Sequence, residues 1–217
     1  MMKYINLALR WLFFALIIKP IVKIVIGLRY QNQPILPQDG PALLIANHNS
    51  HLDTMVLISL LPLKILHKVQ PVAAADYFLK NKFMAWFTLN IIGILPIERQ
   101  GKDKTVNPIE QCAKALDSGK ILIFFPEGSR GEPEKMTDLK YGVVKLAERC
   151  PKVPLYPIYM HGLGKTLPKG DALFVPFFCD VVFSEPMTYE NSQESFYGEV
   201  KKRFANMQDS VKLPKWD

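Results

Sequence analysis

Short apolar runs alternate with polar stretches along this chain, and the runs are of two kinds. Some are brief and unbroken, as expected of strands buried on both faces: 42–46, 70–75, 91–99, 120–125, 153–160 and 179–186. Others place apolar residues at helical spacing, over 52–61, 78–89, 107–119, 139–149 and 189–208. The segment from 107 carries its own punctuation. Asn107 is a candidate N-cap, Pro108 occupies the first turn, Glu110 stands at the capping-box position, and Gly119 follows the last apolar residue, Leu116. Leu139, Val143 and Ala147 form one stripe of the next helix. Strands alternating with helices predict an α/β fold, a mixed β-sheet flanked by helices.

The first thirty residues break this rhythm. "MMKYINLALRWLFFALIIKPIVKIVIGLRY" is apolar nearly all round, yet Arg10, Lys19 and Lys23 interrupt it. Its longest uncharged stretch, 11–18, is too short to cross a bilayer, which takes about 20 apolar residues. No small-residue cleavage site follows, which argues against a signal peptide. The pattern predicts a membrane-associated helix broken near Pro20, lying in the bilayer interface on the cytoplasmic face, its lysines reaching for headgroups. An ordinary core helix and a tilted span are the alternatives. The Pro/Gly-rich connector "QNQPILPQDGP" then divides the chain into a membrane-interface segment, 1–30, and a catalytic domain, 31–217.

Composition narrows the classes. With 217 residues and 49% hydrophobic content, the chain is long and apolar enough for one folded α/β domain and is not disordered. A net charge of +7 suits nucleic acid, an anionic membrane or a phosphorylated substrate. The cations are scattered and no nucleic-acid motif is present, so nucleic acid is set aside. Three distant cysteines, Cys112, Cys150 and Cys179, form no disulfide framework and read as buried reduced thiols.

Three polar loops at the ends of apolar runs carry candidate chemistry. In "LLIANHNSHLDTMVL", His48 precedes a helix and Asp53 lies in that helix's first turn. A carboxylate there can hold the imidazole in one tautomer and leave its other nitrogen free to take a proton from a hydroxyl. His48, His51 and Asp53 are also metal-ligand types, but the further ligands of a zinc site are missing nearby. Ser50 and Ser129 lack a G-x-S-x-G setting and read as caps or turn formers. In "GILPIER", Arg99 leaves an apolar strand where its fork can meet a phosphate or carboxylate. In "IFFPEGSRG", Gly128 permits a sharp turn, Arg130 adds a cation, and Glu127 can accept from a substrate hydroxyl or orient an arginine.

Taken together, these blocks resemble the glycerolipid acyltransferases typified by 1-acylglycerol-3-phosphate acyltransferase. The family's N-H-x-S-x-x-D is similar to Asn47-His48-Asn49-Ser50-His51-Leu52-Asp53, and its Gly-to-Arg block to Gly93 through Arg99. Its F-P-E-G-[ST]-R matches Phe125-Pro126-Glu127-Gly128-Ser129-Arg130, and its V-P-x-x-P resembles Val153-Pro154-Leu155-Tyr156-Pro157. The order is the family's. The resemblance implies transfer of a fatty acyl group from acyl-CoA or acyl-carrier protein to a lysophospholipid hydroxyl, lysophosphatidic acid by default, at a membrane. It implies His48 as general base with Asp53 as its partner, and Arg99, Glu127, Gly128, Ser129 and Arg130 as the substrate-binding set, with no metal and no cofactor. A non-enzymatic membrane-associated lipid-binding protein is the runner-up. Gly131 departs from the family pattern, as does "AAADYF", where Asp76 stands in for an acidic position; 161–180 has no match in it.

Overall fold

Among the described residues, seven strands make one mixed sheet: β1 (Arg29–Tyr30), β2 (Ala42–Ala46), β3 (Val69–Ala74), β4 (Leu95–Ile97), β5 (Ile121–Phe124), β6 (Leu155–His161) and β7 (Asp180–Phe183). The computed structural model describes residues 2–50, 52–98, 107–129, 131, 135–166 and 179–211. The spatial order is β1-β7-β6-β2-β5-β3-β4. All neighbours run parallel except β6 and β7. The most apolar run, Ala-Leu-Leu-Ile-Ala, takes a central position between β5 and β6, where every one of its side chains is buried.

Alternation along the strands sorts these side chains into two layers. Leu44 and Ala46 face a cluster with Val56 and Leu57 of α2 (Leu52–Leu60) and with Phe14, Val22 and Ile26 of the N-terminal segment. Leu43 and Ile45 face the opposite cluster, filled by α5 (Pro108–Asp117), α6 (Gly142–Arg149) and α8 (Gln193–Ser210); the one-turn α7 (Leu163–Thr166) follows β6. Chains buried on both faces in this way need helical cover on each side, and the fold supplies it.

Two details at element ends differ from the sequence expectation. Asn107 does cap α5, its side chain accepting from Ile109 N, but Glu110 turns away to pair with Arg149 at 3.0 Å. The expected 78–89 helix is divided into α3 (Ala75–Phe78) and α4 (Lys82–Phe87), and its last turns become a π-type segment, Thr88–Ile92. Gly93, at φ +74°, ends that segment and shortens β4 to three residues. A side chain at Gly93 would collide with the guanidinium of Arg10, its Cβ running into Nη1.

That contact corrects the reading of the N-terminal cations. Arg10, in α1 (Met2–Leu12), points inward. Its Nη2 donates to the carbonyls of Val69 (2.8 Å) and Ile92 (2.9 Å). Lys19 donates to the carbonyls of Ser59 (2.6 Å) and Leu61 (3.2 Å) at the C-terminal end of α2. Lys19 thus serves carbonyls that the end of α2 leaves unpaired, where the helix dipole favours positive charge, and Arg10 ties the carbonyl of Ile92, at the end of a helical segment, to that of Val69, the first residue of β3. Burial holds the Arg10 guanidinium down to about 10. Lys23 alone of the three is exposed. Nor does Pro20 break the helical path. The π-type segments Phe13–Ile18 and Ile21–Val25 flank it, and the wider register accommodates a residue that has no N–H to give. No helix among the described residues is long and apolar enough to cross a membrane.

Candidate active site

His48 stands two residues beyond β2, at the carboxyl end of the parallel strands, where open α/β sheets hold their ligands. Asn47 makes the exit. Its amide copies a peptide group, Nδ2 donating to Met160 O and Oδ1 accepting from Met160 N, both at 2.7 Å. The β2–β6 ladder is thus extended by a side chain after the last backbone pair, Ala46 with Ile158.

Beyond Asn47 the chain folds around one carboxylate oxygen. Asp53 Oδ2 accepts from Asn49 N (2.7 Å) and Ser50 N (2.8 Å), and lies 2.8 Å from His48 Nδ1. Asp53 is in the first turn of α2, a position the dipole favours for an anion. The carboxylate is fully buried, and burial pushes its carboxyl above the ordinary aspartate value; the three hydrogen bonds pull the other way by favouring the charged form. With Oδ2 acting as acceptor, Nδ1 carries the imidazole proton and Nε2 offers a lone pair. The His48 side chain is 19% exposed, enough for a substrate to reach it.

The loop after β5 closes over the same histidine. Phe125 stacks on its imidazole, ring centroids 4.0 Å apart and planes 17° from parallel. Glu127 Oε1 accepts from His48 N at 2.6 Å, and Gly131 N donates to His48 O at 3.1 Å. Both main-chain polar groups of His48 are thereby held by residues about eighty positions away in sequence. The second Glu127 oxygen accepts from Thr137 N (2.8 Å) and Thr137 Oγ1 (2.7 Å). Glu127 is only 2% exposed and braces two loops, a part that the sequence reading, a substrate hydroxyl's acceptor or an arginine's partner, did not foresee. Gly128 adopts φ +74°, and a Cβ there would stand 2.7 Å from Lys140 Nζ. Ser129 is exposed.

The structure therefore brings together His48, Asp53, Glu127 and Gly128. Arg99, Arg130 and His51 lie outside the described residues. Sequence reasoning missed Asn47, Phe125 and Thr137. Asn47 and Phe125 stood inside the motifs quoted above, whereas Thr137 carried no local signal at all. A cavity of about 550 Å3 lies elsewhere, between the residues after β7 and the start of α8.

This arrangement can take a proton at Nε2. A 1-acyl-sn-glycerol-3-phosphate acyltransferase of Arabidopsis thaliana, LPAT1, is 30% identical over 61% of this chain and 35% of its own length. A mouse 1-acyl-sn-glycerol-3-phosphate acyltransferase alpha is 26% identical over 71% and 52%. A lyso-ornithine lipid O-acyltransferase of Rhizobium meliloti is 26% identical over 65% and 46%. The chain thus spans between a third and about half the length of these curated relatives. The crystal structure of the Thermotoga maritima acyltransferase PlsC shares the fold, with a TM-score of 0.70 at 19% identity, covering 92% of this chain and 80% of that one. Residues 27–161 match the Acyltransferase family model, and the chain belongs to that family.

Proposed function

We propose that the protein transfers a fatty acyl group from an acyl thioester, acyl-CoA or acyl-carrier protein, to the free hydroxyl of a lysophospholipid, with 1-acylglycerol-3-phosphate as the acceptor and phosphatidic acid as the product. The observation that carries this reading is the His48–Asp53 pair, an exposed-edge imidazole oriented by a buried carboxylate 2.8 Å away. His48 Nε2 takes the hydroxyl proton as the acceptor oxygen attacks the thioester carbonyl. The tetrahedral intermediate collapses, the C–S bond breaks, and the imidazolium returns its proton to the departing thiolate. Asp53 stabilises the imidazolium between these steps. The acceptor hydroxyl is itself the nucleophile, so no acyl-enzyme is needed.

Glu127 and Gly128 shape the loop that holds His48, and Arg99 and Arg130 supply the fork for the acceptor phosphate. The apolar outer face of the N-terminal segment, with Met2, Tyr4, Leu16 and Ile24 all at least 67% exposed, seats the protein on the cytoplasmic face of a bilayer as a monotopic enzyme.

The deciding experiment offers both donor types and a panel of lysolipids in liposomes and reads products by mass spectrometry. Wild type is expected to make phosphatidic acid, and His48→Ala to lose several orders of magnitude in rate with its fold intact. Another acylated lipid would keep the mechanism and change the acceptor. No product from any pair, with folded protein and membranes present, would sink the proposal in favour of lipid binding without turnover. Arg99→Ala and Arg130→Ala should chiefly raise the acceptor KM; unchanged kinetics in both would refute the phosphate role.

A further inference from the structure

Every large hydrophobic side chain that is exposed among the described residues falls in one of two stretches, 2–30 and 77–89. The second is not part of the N-terminal segment. It includes Tyr77, Phe83, Met84 and Trp86, exposed by 54%, 73%, 47% and 42%. Exposed apolar groups at this density mark a surface that meets something other than water.

The two stretches form one continuous face. Asn6 Nδ2 donates to Asn90 Oδ1 at 2.6 Å, and Phe13 meets Phe87 edge to face with ring centroids 5.5 Å apart. Charge identifies what the face meets. No Asp or Glu occurs in 1–38 or in 77–97, whereas Lys23, Lys80 and Lys82 are exposed within those stretches. A second copy docking through the same face would set lysine against lysine, with carboxylates only at its edges, at Asp39 and Asp76. An anionic lipid surface complements it, and the tryptophans and tyrosines suit the interface between headgroups and chains.

We infer that 77–89 is a second bilayer-seated element, continuous with the N-terminal one, and that it is the part that brings the membrane to the reacting end of the sheet. This rests on the bilayer reading given under the proposed function. Topology supplies the reason. Leu7 and Trp11 of α1 share a cavity of about 200 Å3 with Leu63 and Leu66, in the 3-10 turn that leads into the amino end of β3. By contrast, α3 starts at Ala75, directly off the carboxyl end of β3, the same end of the parallel sheet from which His48 emerges. Only β5 stands between β3 and β2, so the two exits are roughly 10 Å apart by strand spacing. Phe83 and Trp86 can therefore hold that end of the molecule against the bilayer, so that an acceptor's acyl chain stays in lipid while its hydroxyl approaches Nε2.

Tryptophan quenching by brominated lipid tests this on the full chain. The sequence has three tryptophans, so two variants isolate the reporters: Trp11→Phe with Trp216→Phe leaves Trp86, and Trp86→Phe with Trp216→Phe leaves Trp11. With vesicles of brominated phosphatidylglycerol, both reporters are expected to be quenched. Quenching of Trp11 alone would overturn the inference and leave N-terminal docking standing; quenching of neither would overturn both. A companion variant, Phe83→Ala, removes an exposed ring at no cost to the core and should weaken vesicle partitioning by about tenfold. Its KM for vesicle-borne acceptor should rise while turnover of a short-chain, water-soluble acceptor is unchanged. Self-association through this face, seen as a dimer in sedimentation that Phe83→Asp dissociates, would refute the lipid assignment.

Discussion

Replacing Glu127 with glutamine separates two roles for one carboxylate. In the structure its oxygens accept from three donors, His48 N at 2.6 Å, Thr137 N at 2.8 Å and Thr137 Oγ1 at 2.7 Å. An amide has the same shape but turns one acceptor into a donor, so at least one N–H must face an NH2 group inside a site that is 2% exposed. A hydrogen bond to a charged group contributes about 1.5–3 kcal/mol, and one or two of them are lost. Removing a buried charge offsets part of this, leaving a net cost of about 2–4 kcal/mol. For a chain of this size that lowers the melting temperature by about 4–16 °C. Releasing the main chain of His48 also lets the imidazole drift, and a misplacement on the order of 1 Å costs about a hundredfold in kcat. Thr137→Val keeps the backbone bond and loses only the hydroxyl, so it should show a smaller loss of both. Thermal melts and liposome kinetics on the same preparations give the answer. If Glu127→Gln melts with the wild type and differs only in acceptor KM, the brace is wrong and the carboxylate faces substrate.

Other consequences are open to direct measurement. Asp53→Asn keeps the side chain's shape but removes the charge that steadies the imidazolium, and kcat should fall by about 10²–10⁴-fold with binding little changed; a smaller change in kcat than in KM would contradict this. Phe125→Leu removes the stacked face and should lower kcat/KM by about three- to tenfold, while Phe125→Tyr stays near wild type; equal losses would point to packing alone. Arg10→Met leaves the carbonyls of Val69 and Ile92 without their donor and should lower stability by about 2 kcal/mol in urea titrations. If it instead weakened vesicle binding with stability unchanged, Arg10 would be a headgroup ligand. Burial pushes the Cys112 thiol up to about 12, so the native state keeps a proton that the unfolded chain releases earlier. Stability should therefore be intact below the ordinary thiol range and fall by about 1.4 kcal/mol per pH unit as pH rises from that range toward 12. Cys112→Ala should flatten this fall between pH 8 and pH 10; an unaltered slope would rule out the thiol as its source.

The strands were readable where burial was complete. The run at 42–46 is β2 residue for residue, and the 52–61, 107–119 and 139–149 helices are present with trimmed ends. A strand buried on both faces needs nothing but apolar residues, so its sequence states its position. The catalytic-looking pair was equally legible, because His48 and Asp53 are close in the chain and their contact is local. Hidden from the sequence were pairings set by distant parts. Lys19 reads as a headgroup ligand until the C-terminal end of α2 is placed beside it. Glu127 reads as a substrate ligand or an arginine's partner, and its hold on Thr137 and on the backbone of His48 shows only once those distant residues are placed beside it. Thr88–Ile92 reads as part of a helix and a strand because the Gly93 turn that ends it depends on the packing of Arg10.

One seam of the sheet bears on how the chain is made. Among the described residues, strand β1 has only β7 as its neighbour. Arg29 pairs with Asp180 at 2.8 Å across 151 positions, and Asn32 Oδ1 accepts from Phe183 N at 2.9 Å across the same distance. At the usual pace of translation, about 5–20 residues per second, the early strand waits about 8–30 s on the ribosome for its partner. The helical segment before it waits less, since its anchors at 59, 61, 69 and 92 emerge far sooner. A nascent chain can thus have its greasy helix docked and ready for lipid while the sheet is still open at that edge, and zip the edge shut last.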